Sequence, residues 1–237
     1  MKGVVGWVVW VCVAAGLGLQ AQGVPGKYPQ PEPLAQYRMA RDAEIALARS
    51  GAPASITRQA TILVLGKSGY EVAVQGTNGF VCLVERGWVG SFDWPEMWNP
   101  KIRGADCLNP PAARSVLPLE ELRTQLVMAG STRAGIIRKV QAAVVAKTLP
   151  RLEPGAMSYM LGKGSYLTDD GGHNLPHLMF FIPVDNDAVW GANQPGSPVG
   201  SGNFWFVHET PAETRIFPPL RVFVVGVKHW SDGSAAQ

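Results

Sequence analysis

The chain offers few groups for metal or covalent chemistry. It has only three cysteines and four histidines, and no CxxC pair. No GxSxG elbow, phosphate-binding loop or HExxH helix occurs, nor a GxGxxG after a strand, so the common hydrolase, nucleotide and metalloprotease signatures are missing. A charge excess of one sign is missing too. With 21 Lys and Arg against 18 Asp and Glu, and no basic run, nothing marks a nucleic-acid surface. There is no internal repeat and no low-complexity tract.

The plainest positive feature is the N-terminus. Met1 and Lys2 precede an apolar run from Val4 to Leu19, and Leu19-Gln20-Ala21 ends it on a small residue. This is the pattern of a secretory signal peptide, residues 1–21. The run is shorter than the ~20 residues a membrane helix needs, so no span is expected once it is cut, although a retained anchor stays open. Cleavage takes 21 of 237 residues and leaves 216, in the periplasm or outside the cell. Cys12 goes with the leader. Cys82 and Cys107 then remain in an oxidising compartment and are expected to pair.

Residues 22–33 read as a Pro-rich lead-in, and 34–237 as a single α+β domain, with a split near Pro150 as the alternative. Pro33, Arg49, Gly51 and Pro53 bracket a helix over 34–50. A β-meander follows: 60–65, 70–75 with its alternating Tyr70, Val72 and Val74, and 80–86, the last two joined by a turn at Thr77-Asn78-Gly79. Residues 87–115 show no period, and a Cys82–Cys107 bridge would tie this long loop down. Helices are expected over 118–128, with Leu119, Leu122 and Leu126 inward, and over 132–147. Gly130 and Ser131 would serve as C-cap and N-cap between them. Strands return at 157–161, 178–184 (apolar throughout, hence buried on both faces), 204–209 and 221–230. The whole reads as three helices on a mostly antiparallel sheet built from the N-terminal meander and the C-terminal strands.

In the segments EIALARSGAP (44–53), GTNGFVCLVER (76–86) and PHLMFF (176–181), the chain resembles a group of uncharacterised exported bacterial proteins. The resemblance implies a recurring fold and supplies no catalytic residue.

Two sets of residues are candidates for function. Pairing 178–184 antiparallel with 204–209 would set His208 opposite Met179, near His177 and His173, with Asp169, Asp170 and Glu209 at the same end and His229 excluded. Such a group would suit zinc, or copper if Met157, Met160 and Met179 joined it. A metal-dependent or His-assisted hydrolase follows from that arrangement. The plainer alternative is a backbone-bonded His177, a turn at 169–172 and three core methionines. The second set is Trp88, Trp94 and Trp98 in the long loop, with Trp190 in another. Exposed, they would bind a small ligand or an envelope partner; buried, they would form a small core beneath the loop. The leading expectation is a non-enzymatic exported binding domain with no cofactor, the hydrolase is the alternative, and a purely structural envelope role is the third.

The leader generates the first test. Amino-terminal sequencing of the exported product is expected to start at Gln22, and a soluble intracellular form that retains Met1 would contradict the export reading.

Overall fold

A computed structural model describes residues 27–170, 175–184, 186–202 and 220–236. Among these residues eight strands form one sheet: β1 (Thr61–Leu65), β2 (Tyr70–Val74), β3 (Val81–Glu85), β4 (Gly104–Leu108), β5 (Met157–Met160), β6 (His177–Ile182), β7 (Val199–Gly202) and β8 (Arg221–Gly226). Their order is β2-β1-β3-β4-β5-β6-β8-β7. Five helices accompany them among the described residues: α1 (Arg41–Arg49), α2 (Ala54–Thr57), α3 (Pro110–Ser115), α4 (Leu117–Met128) and α5 (Arg133–Val145). The α+β class holds, but the sheet is mixed and the helices number five where three were expected. β4 pairs with β5, so the sheet continues without a break from the part before Pro150 to the part after it.

The meander expectation fails at its second turn. β1 and β2 form an antiparallel hairpin, whereas β3 lies on the other side of β1 and runs parallel to it. The chain after β2 crosses the start of β1, with Thr77 N–H donating to Gln59 O (2.8 Å) and Thr61 N–H to Phe80 O (2.9 Å). Asn78 does turn the chain, its side chain accepting from Phe80 N–H at 3.1 Å, but the turn serves this crossover. Gly76 makes the crossing possible. A Cβ there would lie 2.2 Å from Thr61 N and 2.3 Å from Ala60 C.

The expected helix over 34–50 is also interrupted. Leu34–Tyr37 is a 3-10 turn, Arg38 is extended, and α1 begins at Arg41. Tertiary contacts outweigh helix propensity here: fully buried Tyr37 donates its hydroxyl to Trp98 O (2.8 Å), and its carbonyl accepts from Arg86 Nε (2.8 Å). The aperiodic stretch 87–115 contains β4, buried along its whole length, and α3, capped by Asn109 accepting from Ala112 N–H (3.0 Å). Cys82 and Cys107 are disulfide-bonded as expected. They face each other across the β3–β4 ladder, so the bridge joins neighbouring strands at the base of the loop. Between α4 and α5, Gly130 takes positive φ (75°) and closes the helix, with Gly130 N–H bonded to Val127 O and Ser131 N–H to Leu126 O. The N-cap of α5 is Thr132, accepting from Gly135 N–H at 3.2 Å, in place of Ser131.

Each sheet face has its own core. Leu63, Leu83, Leu108, Met160, Met179 and Phe181 pack with α3–α5 and with Trp88, Phe92 and Trp98. Ile62, Cys82, Val84 and Cys107 pack against Ala48 of α1 on the other face. β6 is central but one-sided: Met179 and Phe181 are buried, while Phe180 is 36% exposed. No helix among the described residues is long and apolar enough to cross a membrane.

Gly76→Ala should cost about 3 kcal/mol or more, because the clashing atoms are backbone and cannot swing aside. Denaturant unfolding measures this; a loss below ~1 kcal/mol would mean that the crossover is looser than described.

Candidate functional site

The residues singled out from sequence fall in different surroundings. Trp88 and Trp98 are core side chains, 0% and 1% exposed. Trp88 Nε1 donates to Thr124 Oγ1 at 3.0 Å, and its ring meets Tyr37 edge-on at 4.8 Å. They stabilise the loop and present no binding face. Trp94 is half-buried and lines a cavity, whereas Trp190 is 53% exposed and rests against Phe223 with ring centroids 5.2 Å apart.

The strand pairing from which the histidine cluster was expected is not the one found at β6. β6 has β5 on one edge and β8 on the other, so Met179 faces Ser158 and Val224. Both edges of β6 are thus taken by described strands, and residues 204–209 lie outside the described residues. His173, His208 and Glu209 lie outside the described residues. His177 opens β6 with Nδ1 2.7 Å from Leu175 O, and burial holds its pKa below the usual imidazole value.

Asp169 is a hub. Its carboxylate accepts from Lys27, from Tyr28 and Tyr166 (2.7 Å each), from Lys101 (3.0 Å) and from Asn99 (3.2 Å). The Lys27 and Tyr166 bonds lead in holding it well below the carboxylate range. With its oxygens so engaged, it pins Lys27–Tyr28 and the loop around residue 100 to one another. Asp170 is exposed, its N–H bonded to Thr168 Oγ1 at 3.2 Å.

An acidic group that sequence reasoning missed lies under the loop. The β3–β4 register sets Leu83 opposite Asp106 and Glu85 opposite Gly104, so Glu85 and Asp106 share the face toward α4. Glu120, Arg123 and Thr124, at helical spacing on α4, are all 0% exposed. One oxygen from each of Glu85, Asp106 and Glu120 lies within 4.8 Å of the others. The α4 stripe expected to point inward, Leu119, Leu122 and Leu126, is thus partly displaced: Leu119 and Leu122 are only partly buried.

This group is poorly satisfied. Glu85 Oε1, both oxygens of Asp106 and of Glu120, Ser158 Oγ, and Arg123 Nε and Nη1 make no hydrogen bond of normal geometry. Arg123 is drawn elsewhere, its guanidinium 4.0 Å from the Phe92 ring centroid and its Nη2 bonded to Gly90 O. Burial and the neighbouring Asp106 carboxylate push Glu85 and Glu120 well above the usual range. Burial likewise pushes Asp106 up to about 7, against the Ser158 hydroxyl and Glu85 carboxyl beside it. Arg123 falls to about 9 through burial. Tyr70, bonded to Val84 O at 2.9 Å, and Glu121 are further titratable groups nearby, and the Glu44–Arg86 pair lies beyond Tyr70.

Glu85 also borders a cavity of about 400 Å³. Ile102, Met160, Met179 and Trp94 supply apolar wall, and His177 lies on its lining. Neither a family model nor a curated protein nor a solved structure matches the chain.

Two clues in the sequence pointed to the acidic group. Asp106 interrupts the short run from Ala105 to Leu108, and Glu120-Glu121 with Arg123 puts charge on more than one face of α4. Neither clue gives the β3–β4 register that joins them.

The raised carboxyls imply a falling pH profile. Asp106 goes from 3.8 unfolded to about 7 folded, so its contribution is complete below about pH 4 and is lost as pH rises through 7. In chelator-treated protein, stability should drop by roughly 2–4 kcal/mol between pH 5 and 8, and Asp106→Asn should flatten that slope. Urea unfolding at each pH reads the effect; a flat wild-type profile would remove the assignment.

Proposed function

We propose that this is an exported, non-enzymatic protein that binds a small, largely apolar molecule carrying one hydrogen-bonding group. The observation that carries the reading is the cavity beneath the 87–103 segment, which reaches the size range of small-ligand sites. Its wall is mainly aliphatic, methionine and indole surface, with Glu85, Arg86 and His177 as the titratable groups in the lining. The apolar wall would supply affinity, and Glu85, kept protonated by burial, would orient the polar end of the ligand. Of the expected tryptophans, Trp94 lines this cavity and would touch the ligand. Export is supported by the leader and by the buried disulfide, which suits an oxidising compartment.

The hydrolase alternative has one supporting observation. A neutral His177 and a protonated Glu85 border the same cavity, the pairing that general acid–base chemistry uses.

The neutral dye N-phenyl-1-naphthylamine, whose fluorescence rises in apolar sites, tests the binding reading. Wild-type protein should bind it in the micromolar range. Met179→Trp, which fills the cavity, should weaken binding at least tenfold, about 1.4 kcal/mol, while circular dichroism shows the fold retained. Trp190→Ala should bind as wild type. Absence of dye binding, or full binding by folded Met179→Trp, would overturn the proposal and favour a structural role.

A further inference from the structure

Three buried acids facing one arginine are not in electrical balance. Ionised, Glu85, Asp106 and Glu120 with Arg123 carry two net negative charges in a site none of whose side chains is more than 6% exposed. The protein shows how it treats a buried charge pair elsewhere. Glu44 and Arg86, equally buried, meet at 2.7 Å, and Arg86 also donates to Tyr37 O while Glu44 accepts from Leu65 N–H. The acidic group has no such closure. Arg123 turns to Gly90 O and Phe92 and leaves the five carboxylate oxygens named above unbonded. A separate neutral group points the same way. Ser158 is 0% exposed, its Oγ has no partner of normal geometry, and it lies beside Asp106 on this sheet face.

We propose that Glu85, Asp106 and Glu120, with the Ser158 hydroxyl, form a binding site for a divalent cation of calcium size. The donor set is all oxygen, the choice of hard cations, and contains no nitrogen or sulfur to favour zinc or copper. Calcium bonds oxygen at about 2.3–2.6 Å, so donors on opposite sides of it stand roughly 4.6–5.2 Å apart. Carboxylate oxygens all within 4.8 Å of one another can enclose it without backbone movement. Magnesium, at about 2.0–2.1 Å and reluctant to shed its waters, would need the group to contract. A dication also brings the net charge to zero, as two protons do in its absence. Metal and protons therefore compete, and calcium binding releases protons from these carboxyls.

The experiment uses the mature chain stripped of metal by chelator. Calcium should raise the Tm of the wild type in a concentration-dependent way. Terbium should bind in its place and luminesce when Trp88, bonded to Thr124 next to Arg123, is excited. The isosteric variants Asp106→Asn and Glu120→Gln remove ligand charge with little change of shape. Each should lower calcium affinity about 100-fold and leave the metal-free Tm unchanged or raised. Calorimetry in two buffers of different ionisation enthalpy keeps the test independent of the variants: calcium binding at pH 6 should release about one to two protons. Failure of the wild type to bind calcium, calcium binding without proton release, or wild-type affinity in both variants would each overturn the site. The Met179→Trp protein should still bind calcium, which separates failure of this site from failure of the cavity.

Discussion

The antiparallel register of β3 and β4 is the constraint on which the rest of the molecule depends. It sets Cys82 against Cys107 on the face toward α1 and Leu83 against Asp106 on the face toward α4. Because side chains alternate along a strand, a slip of one residue would bring Asp106 into the alanine- and cysteine-lined core and point a cysteine at α4. The disulfide forbids that slip covalently. A bridge that looks in sequence like a tie for a long loop thus fixes the address of a buried carboxylate on the opposite face.

The two buried ionic arrangements differ in kind. Removing a charge from water costs several kcal/mol unless partners replace the lost hydrogen bonds. Glu44 and Arg86 replace them fully, and they bind α1 to the C-terminal end of β3 with backbone groups of Tyr37, Leu65 and Val84 taking part. That pair explains why the chain leaves helical geometry at Tyr37. The Glu85, Asp106 and Glu120 carboxyls gain no comparable replacement. A site built for stability alone would use apolar side chains of similar volume, which are often neutral or better in such positions. Poor satisfaction at three positions on three separate elements is therefore informative where a single unpaired group would not be.

Local signals were legible in the sequence. The β1–β2 hairpin, the Gly130 C-cap, the disulfide and most strand positions follow from alternation, capping chemistry and compartment. What was not legible depends on contacts distant in the chain. Thr77-Asn78-Gly79 looks like a hairpin turn, and only the need for Gly76 to pass over Thr61 makes the connection a crossover. β4 was hidden because Gly104-Ala105-Asp106 has low strand propensity, which complete burial between β3 and β5 overrides. The tryptophans illustrate the same limit, since composition cannot tell an indole that closes a core from one that faces a ligand; Trp88 and Trp98 do the former. Glu120 reads as solvent-facing on any helical wheel weighted by leucine, and its burial follows from a sheet face that already holds Glu85 and Asp106.

The roof of the cavity is irregular chain, and irregular chain normally binds weakly because ordering it costs conformational entropy at the moment of binding. Here the ordering is already done, by clamps at separate points along the segment. The disulfide closes its base. Arg103 pairs with Tyr166 through two backbone hydrogen bonds of 2.8 and 2.9 Å. Glu96 accepts from Thr168 Oγ1 and, at 2.9 Å, from Asp169 N–H, while Asn99 and Lys101 reach the Asp169 carboxylate. Trp98 O receives the Tyr37 hydroxyl from the lead-in to α1. A loop held only by its ends would collapse onto Met160 and Met179 and erase the space between. Held at residues 96, 98, 99, 101 and 103 as well, it stands off the sheet, and the apolar volume persists because the polar bonds that hold it open lie along its rim.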